Sequence, residues 1–121
     1  MIAVEVVDAG VARAFGALRR GLVAAQRAAW ATVGAEALED TIPLVPVESA
    51  RLAGSLVSAP GATGVEISSD VVYAGVQNFG WPARNIAGHH FMDRAEGVIE
   101  DQAPVELENE LQSLIRRVGL N

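Results

Sequence analysis

The chain is expected to fold as an α+β domain in which a small antiparallel sheet is packed with a long N-terminal helix and a C-terminal helical region. Three observations predict this. Apolar residues recur at threes and fours from Val11 to Val33, two short β-prone runs flank Pro60-Gly61-Ala62-Thr63-Gly64, and a second three-and-four pattern begins at Phe91. No repeat, low-complexity tract or linker interrupts the 121 residues, so one domain spanning residues 1–121 is expected.

Residues 2–7, Ile-Ala-Val-Glu-Val-Val, are β-branched and partly alternating, which predicts a short strand or extended arm over residues 1–8. Asp8 then supplies an N-cap for a helix over 9–41. Val11, Phe15, Leu18, Leu22, Ala25, Ala29 and Val33 form its apolar face, and Arg13, Arg19, Arg20 and Arg27 fall largely off it. Gly16, Gly21 and Gly34 each lower helix propensity by about 1 kcal/mol relative to Ala, so tertiary contacts must hold this helix. Gly34 is one candidate end. Glu36 to Asp40 are a candidate continuation, and Pro43 stops the helix beyond Ile42.

Residues 42–88 are expected to be β-rich with loops. Thr41 to Glu48, with Pro43 and Pro46, reads as extended and irregular, and Arg51 to Leu56 as a single helical turn. Leu56 to Ala59 and Val65 to Ser69 read as two strands of a hairpin whose tip holds Gly61 and Thr63. Val71 to Phe79 fits either a strand, through Val71, Val72 and Tyr73, or a short helix ended by Gly80. The loop from Gly80 to Gly88 is polar and turn-rich apart from Trp81, and is expected at the surface.

Residues 89–121 are expected to be helical, with Phe91, Ala95, Val98 and Ile99 on one face. Pro104 either opens a final helix or kinks a continuous one. The first parse puts Glu106 and Glu108 near the positive helix end and Arg116 and Arg117 near the negative end. It buries Leu107, Leu111, Leu114, Ile115 and Val118, and closes at Gly119.

Composition excludes several functions. Cysteine is absent, which removes disulfides, thiolate metal sites and a cysteine nucleophile. The first ten residues have no basic region followed by a sustained apolar run, and no apolar stretch approaches the roughly 20 residues of a membrane span, so a soluble, unexported chain without a membrane partner is expected. The formal charge of −6, from 15 acidic and 9 basic residues, disfavours gripping phosphates. It suits a wall past which DNA slides without specific binding. The mean hydropathy of +0.26 is high for a soluble monomer and leaves homo-oligomerisation open.

Few residues of the chain are patterned for chemistry. His89, His90 and Asp93 lie within the reach of a metal on a helix, but no other histidine and no cysteine is available to complete a site, so neither metal nor cofactor is expected. Glu36, Glu39 and Asp40, and Glu96, Glu100 and Asp101, are spaced as solvated helix faces rather than as an acid–base pair. The serines lack a nucleophile elbow, and Gly61 to Gly64 lacks the Lys and Ser or Thr of a phosphate loop. Tyr73, Phe79 and Phe91 are expected in the core. Trp81 is either pinned into the core or offered to a partner.

Three short strings carry a resemblance. They are Pro46-Val47-Glu48-Ser49-Ala50-Arg51-Leu52-Ala53-Gly54-Ser55, then Tyr73-Ala74-Gly75-Val76-Gln77-Asn78-Phe79-Gly80 followed by Trp81-Pro82, then Phe91 to Ala95. Together they resemble the tail-completion or head-to-tail connector family of long-tailed double-stranded DNA phages. That family shows Pro-Val-Asp-Thr-Gly-x-Leu-x-x-Ser, then Tyr-Ala-x-x-x-Glu-x-Gly, then an aromatic before an alanine. Ala50 stands where the family has glycine, which removes the argument for a positive-φ turn there, and an amide, Gln77, stands near the usual acid. The resemblance implies structural roles for Pro46, Leu52, Ser55, Tyr73, Ala74, Phe79, Gly80, Phe91 and Ala95. It also implies a non-enzymatic virion protein, assembled in the host cytoplasm into a homo-oligomeric ring, in the first instance a hexamer. Such a ring would sit at the neck, beside other neck and tail proteins and around the DNA passage. A tail-terminator ring and a minor capsid protein are the near alternatives, and a small metal- or ligand-binding domain the distant one. In a closed ring two different surfaces must meet. Trp81, Pro82 and Arg84 in the loop, Gly61 and Thr63 at the hairpin tip, and Ile2 and Val4 in the arm are the expected contacts.

Overall fold

The structure is a computed structural model that describes residues 9–46 and 50–120. The expected N-terminal strand or arm, with Ile2, Val4 and the Asp8 cap, lies outside the described residues, as do residues 47–49 of the first motif. The elements in chain order are α1 (Ala9–Thr41), a 3-10 turn (Ile42–Leu44), α2 (Ala50–Ser55), β1 (Val57–Pro60), β2 (Val65–Ser68), α3 (Ala74–Phe79), β3 (Gly80–Trp81), a 3-10 turn (Pro82–Arg84), β4 (Ile86–Ala87) and α4 (Phe91–Arg117).

The architecture is α+β, as the periodicities require. Helix α1 has 33 residues and α4 has 27, and the two pack antiparallel: Arg94 of α4 reaches Asp40 of α1, while Leu114 lies against Gly21. The predicted end of α1 holds, because the backbone turns into a 3-10 step at Ile42 and Pro43, closed by a 3.1 Å bond from the Val45 N–H to the Ile42 carbonyl. Gly34 is no cap. It is buried inside α1, where the β1–β2 hairpin rests on the helix.

The sheet is two separate two-stranded antiparallel pieces. In the first, Val57 faces Ser68 and Pro60 faces Val65, and the Gly61 N–H bonds the Gly64 carbonyl across the tip at 2.8 Å. The second joins Gly80 to Ala87 and Trp81 to Ile86. The segment that fitted strand or helix is a turn followed by the short helix α3, which Gly80 ends at φ +81. Ala50 sits in α2 as an ordinary helical residue, in keeping with the missing glycine.

Pro104 lies inside a continuous α4 rather than at the start of a new helix. Its ring is exposed, while Ala95, Val98, Ala103 and Leu114, on both sides of it, are buried. Burial on both sides of the proline outweighs the one backbone bond it cannot donate. The C-terminus closes as expected, with Gly119 at φ +81 and a 3.1 Å bond from the Leu120 N–H to the Ile115 carbonyl.

The main core holds Val45, Leu52, Leu56, Val71 and Phe91, and a second cluster joins Ala37, Ala95 and Val98. Two expected core aromatics are misplaced by the sequence reading. Phe91 is 1% exposed, but Tyr73 is 37% and Phe79 is 72% exposed. Phe79 closes a two-turn helix whose inward position is taken by Asn78, so its own ring points out. The α1 stripe is also only half right. Ala25, Ala29 and Val33 are buried, whereas Val11, Phe15 and Leu22 are exposed.

Candidate functional site

Of the residues singled out by the sequence, Tyr73, Ala74, Phe79, Gly80, Trp81, Pro82, Arg84, Phe91 and Ala95 belong to or flank α3, the 80–88 loop and the start of α4, while Leu52 and Ser55 lie in α2 and Gly61 and Thr63 at the tip of the β1–β2 hairpin. The 80–88 loop is held firmly. Gly80 and Gly88 lie back to back, so a Cβ on Gly80 would stand 2.6 Å from the Gly88 nitrogen, and one on Gly88 would stand 2.7 Å from the Asn78 carbonyl oxygen. No larger residue fits at either place. The ladder continues past them through 2.9 Å bonds from the His89 N–H to the Gln77 carbonyl and from the His90 N–H to the Asn78 carbonyl. Pro82 opens a 3-10 turn, and Asn85 leaves it in the left-handed region at φ 55.

On this frame Trp81 is 45% exposed, and the Arg84 guanidinium sits 5.0 Å from its ring centroid. That geometry is a cation–π contact, which holds the indole outward and gives it a charged rim. Trp81 is therefore offered at the surface. Phe79, two residues earlier at the end of α3, is exposed as well, so this stretch of chain leaves two aromatic rings and an arginine uncovered, residue types enriched at interfaces.

Behind the loop lies an apolar cleft of about 350 Å³ lined by Leu56, Ile67, Ser69, Asn78, Phe79 and Met92. Asn78 is buried, and its Oδ1 accepts the Met92 N–H at 2.9 Å, tying α3 to the first turn of α4. Its Nδ2 has no hydrogen-bond partner among the described residues. Sequence reasoning missed Asn78 because an amide one residue before an aromatic carries no periodic signal. The motif serine has a structural role: the Ser55 hydroxyl bonds the Leu52 carbonyl at 2.7 Å and shares a 2.6 Å bond with Ser69, whose oxygen accepts the Val71 N–H. Leu52, Phe91 and Ala95 are core, Ala74 opens α3, and Pro46 is half-buried. At the hairpin tip Thr63 is exposed and Gly61 is half-buried.

The carboxylates expected on separate solvated faces are brought together. Glu36, Glu39 and Asp40 of α1 meet Asp101 and Gln102 of α4 around a cleft of about 380 Å³, bridged at one side by the 3.2 Å Arg94–Asp40 ion pair. Glu36 is half-buried there. Desolvation raises its pKa above the ordinary 4.5, helped by a hydrogen bond and charge from Glu106 and by the charges of Asp40 and Glu39. The His90 imidazole lies 3.3 Å from Asp93 through Nδ1, both side chains being exposed. Among the described residues no group of three His, Cys, Asp or Glu side chains is placed to hold a metal ion, and no helix is long and apolar enough to cross a membrane.

No protein-family model, no curated protein and no solved structure matches this chain.

Proposed function

We propose that the chain is a structural subunit of a tailed-phage virion, a ring-forming neck component that completes the tail or joins it to the head around the DNA passage. It works by fit rather than catalysis. The observation that carries this reading is the exposure of Phe79 at the end of α3 and of Trp81, with Arg84 stacked on it, in a loop locked by Gly80 and Gly88; Phe79, Gly80 and Trp81 belong to the string that resembles the connector family. A rigid loop that exposes an indole and stacks an arginine on it loses little conformational freedom when a neighbour covers it. The net charge of −6 fits a wall that DNA passes without being held.

Replacing Trp81 by Ala tests the reading. The subunit should stay folded, since the side chain is only half covered, while particles made with the variant should fail to join heads to tails. Normal yields of infectious particles from Trp81→Ala would sink the proposal. Labelling the chain in intact particles would then separate a neck position from a tail-terminator or capsid position.

A further inference from the structure

Helix α1 overhangs its partner. Leu114, three residues from the end of α4, lies against Gly21, so the first two turns of α1 run past the last turn of α4. A shallow apolar surface lies along this part of α1, formed by Phe15, Leu18 and Leu22 with Arg19 beside them. Phe15 is 57% exposed and Leu22 36%. Steps of three and four residues put the three apolar side chains in one stripe, which Val11 extends toward the helix start. Arg13, Arg20 and Arg27 lie on the far side of the helix and take no part in it.

The residues immediately before the helix have the composition and the length to cover this stripe. In Ile2-Ala3-Val4-Glu5-Val6-Val7 every residue but Glu5 is apolar. In extended form Ile2, Val4 and Val6 share one side at intervals of about 7 Å. With Asp8 given to a chain reversal, the six residues extend about 20 Å, and from Ala9 to Leu22 the helix also rises about 20 Å. The segment laid back along α1 therefore ends where the stripe ends.

Charge and tethering select this occupant over a second copy of the helix. Glu5 is the charged residue of the segment, and Arg19 is that of the surface. A second α1 on the same surface would bring another Arg19 and no carboxylate, since no Asp or Glu occurs between Ala9 and Ala35. A segment joined to the helix it covers also acts at an effective concentration on the order of millimolar, which a free partner must match.

We infer that residues 2–7 turn back at Asp8 and lie along the Phe15, Leu18 and Leu22 stripe of their own helix, with Ile2, Val4 and Val6 inward. The segment covers the part of α1 that α4 is too short to reach. Ile2 and Val4, which the family resemblance offers as subunit contacts, then belong to the packing of a single chain. The contact does not depend on the neck reading, which rests on the Trp81 loop.

The absence of cysteine makes the test clean, because two introduced thiols have no competitors. Val4→Cys is combined in the full chain with Leu18→Cys on the stripe, or with Arg20→Cys, two residues on and on the far face. Both pairs have nearly the same tether, so their ratio reads docking alone. With oxidised glutathione as oxidant, the Leu18 pair should close an intrachain disulfide at least about tenfold faster than the Arg20 pair. Mass spectrometry under denaturing conditions distinguishes bonds within a chain from bonds between chains, and circular dichroism checks that both variants keep their helix. The unsubstituted chain supplies a second measurement: proton NMR should show close contacts from the methyl groups of Ile2, Val4 or Val6 to the Phe15 ring. Equal rates for the two cysteine pairs, or a Phe15 ring without such contacts, would overturn the inference. Disulfides that form only between chains would overturn it too, since the segment would then cover a neighbour's helix.

Discussion

Gly34 is the position where the packing of helix on hairpin can be tested most sharply. A Cβ added there would meet the Ser58 Oγ directly, with the Val65 Cγ2 at 2.8 Å and the Ser58 Cβ at 3.2 Å. Two effects of Gly34→Ala therefore oppose each other. Alanine in a helix interior gains about 1 kcal/mol over glycine. Against this, rotating Ser58 frees only one contact, and the Val65 methyl and Ser58 Cβ must move with the strands that carry them. Overpacking typically costs about 1–3 kcal/mol, and with two contacts under 3.0 Å to relieve at once the cost here is in its upper part, about 2–3 kcal/mol. The clash wins, and Gly34→Ala should lose about 1–2 kcal/mol, which for a chain of 121 residues lowers Tm by about 4–8 °C. Gly97→Ala in α4 is the matched control. It has nothing within 4 Å of the new Cβ, and should gain about 1 kcal/mol. The Ser58 hydroxyl is buried without a hydrogen-bond partner among the described residues, so Ser58→Ala should itself stabilise by about 1 kcal/mol. The double variant should then recover more than the sum of the two single changes, because the nearest clashing atom is gone. Thermal unfolding followed by circular dichroism and urea titration reads the parent and all four variants. A Gly34→Ala protein as stable as the parent, or strict additivity in the cycle, would refute the close approach of α1 and the hairpin.

Two further outcomes follow from the site. Glu36 has a raised pKa in the folded state, so folding favours its protonated form. The associated stability is fully present below the ordinary 4.5 and is lost as pH rises through the raised value. Glu36→Gln should therefore be more stable than the parent at neutral pH, with the difference shrinking on acidification, and a pH-independent difference in urea midpoint would contradict this. Asn78→Ala removes the acceptor of the Met92 N–H at the start of α4 and should cost about 1–2 kcal/mol. Faster exchange of the Met92 amide is the specific sign, and an unchanged exchange rate would show that the bond contributes nothing.

The residues that the sequence read correctly are those whose structure is set by near neighbours. The span of α1 follows from its three-and-four spacing and from Pro43, the hairpin from the Gly61 and Gly64 tip, and the end of α3 from Gly80 at φ +81. Backbone conformation at these points depends on side chains a few residues away, so a single sequence contains the necessary information. Phe79 was misjudged because hydrophobicity reports what a side chain favours, whereas its direction depended on Asn78 being tied to Met92, fourteen residues on. Pro104 was ambiguous for the same reason, since only packing of α4 on α1 carries the helix across it.

The sequence by itself determined the span of α1, the β1–β2 hairpin and the surface position of the 80–88 loop. Tertiary structure alone decided how far α4 runs along α1. That overlap buries Ala25, Ala29 and Val33, leaves Phe15 of the same stripe in solvent, and draws Glu36, Glu39, Asp40 and Asp101 around one cleft. The physical reason is that periodicity fixes which side chains share a face, while burial and pKa depend on what lies opposite that face, and that is set by contacts between residues far apart in the chain.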